Sequence, residues 1–177
     1  MLNIPNTLTL LRILLIPAFL ARFLTADSPE SHLAAAGILV VSGLTDMLDG
    51  LIARKFHMTT QLGRILDPAA DKLTLAAVMA ALWCQWPRLW PLYAVFLLKE
   101  VLMLAGGLVL HRRRVEIAGA RWFGKLSTVL FYVTVVVIVA HPELGKAMVA
   151  KMLLVLLAFM AFSLVRYGLL FLQMVRR

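Results

Sequence analysis

The sequence predicts an all-α integral membrane protein: a bundle of six transmembrane helices with a short N-terminal interfacial segment. Three observations carry that prediction. Hydrophobic residues make up 62% of the 177-residue chain and charged residues 15%, with a mean hydropathy of +0.91. Soluble domains carry roughly 45–50% apolar and about 25% charged residues, so the bilayer must solvate much of this surface. The apolar residues fall into six runs, near 8–25, 31–54, 65–86, 90–110, 120–140 and 147–171, and a helix needs roughly 20 such residues to cross the hydrocarbon core. Basic residues, finally, concentrate in two of the connections and at the C-terminus.

Taken in order, residues 1–7 read as the interfacial lead-in, because Pro5 suits the entry of a helix better than its middle. Asn3, Pro5, Asn6 and Thr7 stand where a signal peptide has basic residues, and no small-residue cleavage site follows. The first run is therefore expected to remain in the mature protein, with Pro17 kinking it at most. The second and third runs flank the connection Lys55–Gly63 and hold the informative acids. The fourth contains Lys99-Glu100, which reads as a buried pair fixing helix register or as part of an acceptor site, and Gly106-Gly107, which reads as a close-packing point. The fifth and sixth are apolar, with Leu126–Ala140 free of charge. No repeat or linker divides the chain, so residues 1–177 read as a single domain.

Charge gives the orientation. Arg54, Lys55 and Arg64 flank the second connection, Arg112, Arg113, Arg114 and Arg121 the fourth, and Arg176 and Arg177 close the chain, while Asp27 and Glu30 lie in the first. The positive-inside rule then puts both termini and the two basic connections in the cytoplasm. Trp83, Trp86 and Trp90 fall at the opposite interface, where an aromatic belt is expected. The net charge of +9 does not point to nucleic acid: no surface of mixed aromatic and basic residues exists outside the apolar runs, and flanking basic residues serve orientation and anionic lipid.

The chemistry lies between Asp46 and Asp71. The chain has nine acidic residues, and Asp46, Asp49, Asp67 and Asp71 are four of them. At roughly 100° per residue, Asp46, Asp49, Gly50 and Ala53 share one face of the second helix, and Asp67 and Asp71, four apart, share a face of the third. The short connection predicts these two helices as antiparallel neighbours with their acidic ends together. Converging carboxylates repel unless a cation intervenes. Ligation by oxygen alone suits magnesium, manganese or calcium better than zinc, and a metal pair beside a phosphate relieves the repulsion. Gly50 and Ala53 leave room for a substrate against the backbone, and Arg54 can meet a phosphate or brace a carboxylate.

This segment resembles the signature of the CDP-alcohol phosphatidyltransferases, D-x-x-D-G-x-x-A-R-x8-G-x3-D-x3-D. Asp46, Asp49, Gly50, Ala53, Arg54, Gly63, Asp67 and Asp71 match each fixed position. The resemblance extends to the opening Asn3-Ile-Pro-Asn-Thr-Leu-Thr-Leu-Leu-Arg12, the six-span layout and Gly124-Lys125. It implies a homodimer of the bacterial inner membrane with its active site facing the cytoplasm and open to lipid. Asp46, Asp49, Asp67 and Asp71 would hold two divalent cations (Mg2+ or Mn2+) on the pyrophosphate of CDP-diacylglycerol. Asp46, Gly50, Ala53, Arg54 and Gly63 would line the nucleotide end, and Asp71 would take the proton of the attacking hydroxyl.

The acceptor is less sharply written. The opening is similar to that of members using glycerol 3-phosphate and of members using phosphatidylglycerol. Both acceptors carry phosphate, for which Lys125, Arg112, Arg114 and Arg121 are the candidate partners. Lys125 leads, because it follows Gly124 at a span entrance; the arginine run serves equally as an orientation-setting loop. Members using glycerol 3-phosphate typically carry Arg-Glu in the fourth span and another arginine eight residues on. Here the pair is Lys99-Glu100 and position 107 is Gly107, which leaves cardiolipin synthesis as the alternative. From a different class, a divalent-cation transporter could also use four carboxylates, but permeation needs polar steps deeper in the spans than these. Cys84, the only cysteine, excludes an intrachain disulfide and reads as a small core residue, and His32, His57, His111 and His141 lack metal-ligand spacing.

Overall fold

Among the described residues six long α-helices follow one another: α1 (Ile4–Leu24), α2 (Pro29–Lys55), α3 (Gln61–Gln85), α4 (Trp90–Arg112), α5 (Trp122–Ala140) and α6 (Lys146–Val175), with a 3-10 turn at Pro87–Leu89 ahead of α4. The computed structural model describes residues 3–56, 58, 60–112 and 122–175, apart from the side chains of Arg54, Gln61, Arg64, residues 110–112, Lys125 and residues 170–175. No strand occurs among the described residues. Two compact units divide the chain, Met1–Gln85 with Val135–Leu144 and Trp86–Thr134 with Gly145–Arg177.

The helix starts follow from local chemistry. The Asn3 side chain caps α1 by accepting from the Asn6 amide at 3.1 Å, and Pro5 fills the first turn, where its missing N–H costs nothing. Residues 4–7, expected as an interfacial lead-in, are thus the first turn of α1. Pro17 lies inside a helix that continues to Leu24. Ser28 caps α2 by accepting from the Ser31 amide at 3.3 Å.

Among the described residues, five helical segments are long and apolar enough to cross a membrane: Ile4–Leu24, Pro29–Ala53, Pro87–Gly106, Trp122–Ala140 and Lys146–Leu169. The chain is an integral membrane protein. The third expected span falls short by composition: α3 has 25 residues, but Arg64, Asp67, Asp71 and Lys72 crowd its first half and only Leu73 onward is free of charge. Length is not its deficit, since 25 residues rise about 37 Å.

In the first unit, α1 packs against α2 and against α3. Each of the three presents one buried seam. On α2 it runs through Ser31, Ala35, Leu39, Ser42, Thr45 and Asp49, and on α3 through Ala70, Thr74, Ala77, Val78 and Ala81. The alanines let backbones approach closely. On α1 the buried face carries Asn6, Thr9 and Arg12 toward its start and Phe19 and Phe23 toward its end. One end of the unit is therefore apolar, with Phe19 stacked on Phe23 at 5.7 Å and His32 edge-on to Phe23 at 5.6 Å. The other end is polar. The acidic ends of α2 and α3 come together, as the short connection predicts, and among the described residues each of the two helices packs closely on α1. Cys84, expected in the core, is exposed on α3.

In the second unit α4 packs on α6. Buried Tyr93, Phe96 and Glu100 line up on α4, and Val149, Leu153, Leu156, Met160 and Ser163 on α6. Lys99 is ion-paired with Glu100, with both side chains largely buried, and its ammonium lies 5.8 Å from the Phe96 ring centroid. A buried ion pair of this kind was one of the two roles open to these residues.

Candidate active site

The polar end of the first unit gathers the start of α1, the end of α2 and the start of α3. Asn3 Nδ2 donates to the Met58 carbonyl at 2.7 Å, and Thr60 Oγ1 donates to Asn6 Oδ1 at 3.1 Å. The α2–α3 connection is thereby tied to α1. Thr60 also accepts from the Gly63 amide at 2.9 Å, which serves one of the orphan N–H groups in the first turn of α3.

Arg12 sits at the centre of the acids, with its side chain 0% exposed. Its Nη1 lies 2.6 Å from Asp46 Oδ1 and 3.0 Å from Asp71 Oδ1, and its Nη2 donates to Asp49 Oδ2. One guanidinium thus joins both ends of the aspartate motif. Thr9, one turn earlier, lies 2.8 Å from Asp67 Oδ1 and 3.3 Å from Asp49 Oδ2. Asp46 and Asp71 meet the same Arg12 nitrogen, Nη1. All four predicted aspartates are therefore brought together, by two α1 side chains to which sequence reasoning gave no role. The signal was present: Asn6, Thr9 and Arg12 recur at three-residue spacing in an apolar run, so they share a helix face.

The four acids differ in access. The Asp49 side chain is 5% exposed, that of Asp46 31% and that of Asp71 53%. Asp67 lies between Gly63 and Ala70 at the half-buried edge of the α3 seam. Asp71 is thus the most open of these three acids and Asp49 the most enclosed. Gly50 and Ala53 are half-buried on the same face of α2 as Asp46 and Asp49. Gly63 has a packing reason of its own: a Cβ there would lie 2.9 Å from Asn6 Oδ1 and 3.2 Å from Thr60 Oγ1. The Arg54 side chain lies outside the described residues.

The donor set fits a divalent ion by chemistry. Four carboxylates gather about one guanidinium and one hydroxyl, those of Arg12 and Thr9. Arg12 and Thr9 engage one oxygen of each carboxylate. Carboxylate oxygens suit a hard cation. Among the described residues no three His, Cys, Asp or Glu side chains converge on a single ion-sized point; the positive group that now joins the acids is Arg12.

Of the predicted acceptor residues, Lys125 lies in α5 and Arg112 ends α4, both with side chains outside the described residues, and Arg114 and Arg121 fall wholly outside them. The neighbourhood of Lys125 is nonetheless well defined. Gly124 faces Tyr167 so closely that the tyrosine hydroxyl occupies the place of a Cβ, and the Phe123 and Tyr167 rings meet edge to face at 4.8 Å. Arg166 lies over Phe123, 6.0 Å from its centroid.

The family model for CDP-alcohol phosphatidyltransferase matches residues 2–172. A CDP-diacylglycerol–glycerol-3-phosphate 3-phosphatidyltransferase of Pseudomonas fluorescens is 34% identical over 125 residues, 71% of this chain and 58% of that protein. A cardiolipin synthase (CMP-forming) of Streptomyces coelicolor is 34% identical over 131 residues, 72% of this chain and 60% of that one. A protein of Bacillus subtilis with the same name as the Pseudomonas one is 30% identical over 152 residues, 80% of this chain and 78% of its own length. The matches to the first two span less than two thirds of those relatives. With the family model covering almost its whole length and the signature carboxylates gathered at one site, the chain belongs to the CDP-alcohol phosphatidyltransferase family.

Proposed function

We propose that the chain transfers a phosphatidyl group from CDP-diacylglycerol to the hydroxyl of glycerol 3-phosphate and releases CMP. The observation that carries this reading is the convergence of Asp46, Asp49, Asp67 and Asp71 about Arg12 and Thr9. The names of the Pseudomonas and Bacillus relatives support the donor and the acceptor. In this account residues 1–177 act as a single domain in the bacterial inner membrane, as a homodimer, with the aspartates at the cytoplasmic face.

The chemistry asks for a base and a polarised phosphorus. Asp71, the most open of the three acids that Arg12 touches, takes the proton as the acceptor oxygen bonds to phosphorus. The bond from phosphorus to the CMP oxygen breaks, and CMP leaves with that electron pair. Asp46, Asp49, Asp67 and Asp71 would hold two divalent ions, magnesium or manganese, which when bound neutralise the pyrophosphate and the charge that develops on it. Gly50 and Ala53 leave the α2 backbone open to the nucleotide, with Asp46, Arg54 and Gly63 beside it. Lys125, Arg112, Arg114 and Arg121 supply the acceptor phosphate site.

Cardiolipin synthesis from phosphatidylglycerol is the second reading. It is favoured by Gly107 standing where glycerol 3-phosphate enzymes carry arginine, and by the name of the Streptomyces relative. A divalent-cation transporter finds no support in the family match. The test of the site is Asp67→Asn in detergent-purified protein. Transfer from CDP-diacylglycerol should fall below detection while the variant stays folded; near-normal turnover would overturn the assignment.

A further inference from the structure

We infer that Arg12 is a built-in counter-cation, which holds the aspartate cluster together before any divalent ion binds and supports the same carboxylates as that ion. The inference rests on the metal reading proposed above and adds a residue to it. Arg12 comes from α1, yet its two terminal nitrogens reach Asp46 and Asp49 on α2 and Asp71 on α3. Without it these helices would present four carboxylates to one another at a buried site, and like charges so close repel strongly. A guanidinium remains charged at any pH a protein survives, and its planar fork can serve several oxygens at once. The Arg12 side chain is 0% exposed, and its Nε finds no partner among the described residues, so the contacts it makes are directed at the acids. Arg12 is a positioning residue: fully buried among the acids, it acts through the carboxylates.

The consequence is a trade between two cations. With Arg12 in place, the carboxylates are already held near one another, and a divalent ion adds stability to a cluster that is partly assembled. Without Arg12, the ion must supply the cohesion that the guanidinium gave. The stabilisation by metal should therefore be larger in Arg12→Gln than in the native protein. A side chain that merely fills space would give a metal-independent loss.

The test is thermal unfolding of detergent-purified protein without substrate, in EDTA and in saturating magnesium, beside magnesium binding to the native protein by calorimetry. Arg12→Gln should unfold at least about 5 °C below the native protein in EDTA, and magnesium should restore at least half of that difference. Should Arg12→Gln fail to fold in EDTA, Arg12→Lys carries the same comparison, since lysine keeps the charge but loses the fork. An equal deficit with and without magnesium, or no deficit, would overturn the inference. Absence of magnesium binding to the native protein would instead overturn the metal reading beneath it, and the two failures are distinguished by the calorimetry.

Discussion

Thr9 Oγ1 lies 2.8 Å from Asp67 Oδ1, which joins the start of α1 to the first acid of α3. A hydroxyl has one proton to give, and the Asp49 oxygen at 3.3 Å and the Pro5 carbonyl at 3.1 Å are longer alternatives. Thr9 is also 0% exposed, so no water can replace it without a rearrangement. Thr9→Val, which keeps the shape and removes the donor, should cost about 1–3 kcal/mol of stability. It should also lower the rate of CMP release, and Thr9→Ser should restore most of both. Thermal unfolding and a transfer assay on the three proteins check this; native behaviour of Thr9→Val would show that Asp67 needs no protein donor.

Gly63 is expected to tolerate no side chain. An alanine Cβ would stand 2.9 Å from Asn6 Oδ1 and 3.2 Å from Thr60 Oγ1, which are themselves 3.1 Å apart in a hydrogen bond. Gly63→Ala should force that pair open at a cost of about 1–3 kcal/mol, the usual range for overpacking. Asn6→Ala should remove the nearest clash, so the double variant should lose less than the sum of the single ones. Additive losses, read by unfolding in detergent, would contradict this account of the glycine.

In the second unit the matching position is Gly124 against Tyr167. The tyrosine ring is held edge to face against Phe123 at 4.8 Å and has little freedom to retreat. Gly124→Ala should therefore cost about 1–3 kcal/mol. In a Tyr167→Phe background the nearest remaining ring atom is 3.2 Å from the added Cβ, and the penalty should shrink by at least about half. The same cost in both backgrounds would show that the clash is with something other than the hydroxyl.

Much of the fold was legible because apolar length and charge placement are local properties. The six runs locate the six helices, and Pro5 marks the entry to the first. The third span was less legible because the charges of the site itself, from Arg64 to Lys72, dilute its apolar signal. The acids were found by spacing along α2 and α3, which helical geometry converts directly into shared faces. What brings them together was not found, because it comes from a third helix, α1. The packing of α1 against both helices is a tertiary choice, and no local spacing encodes it. Arg12 could have been suspected as a charge inside an apolar run, but its three partners lie on two other helices. Cys84 was misplaced for a similar reason: in a membrane protein an apolar run is apolar on its outer face too, so hydropathy does not distinguish lipid-facing from buried positions.

The most direct test of the central claim is transfer by purified protein supplied with CDP-diacylglycerol and magnesium, with glycerol 3-phosphate and phosphatidylglycerol offered separately and CMP and lipid product followed. The account predicts CMP release and a phosphatidyl product with glycerol 3-phosphate, lost in EDTA and in Asp67→Asn. Product from phosphatidylglycerol alone would contradict the proposed acceptor and make the chain a cardiolipin synthase, and transfer that persists unchanged in EDTA would contradict the metal-dependent chemistry assigned to the four aspartates.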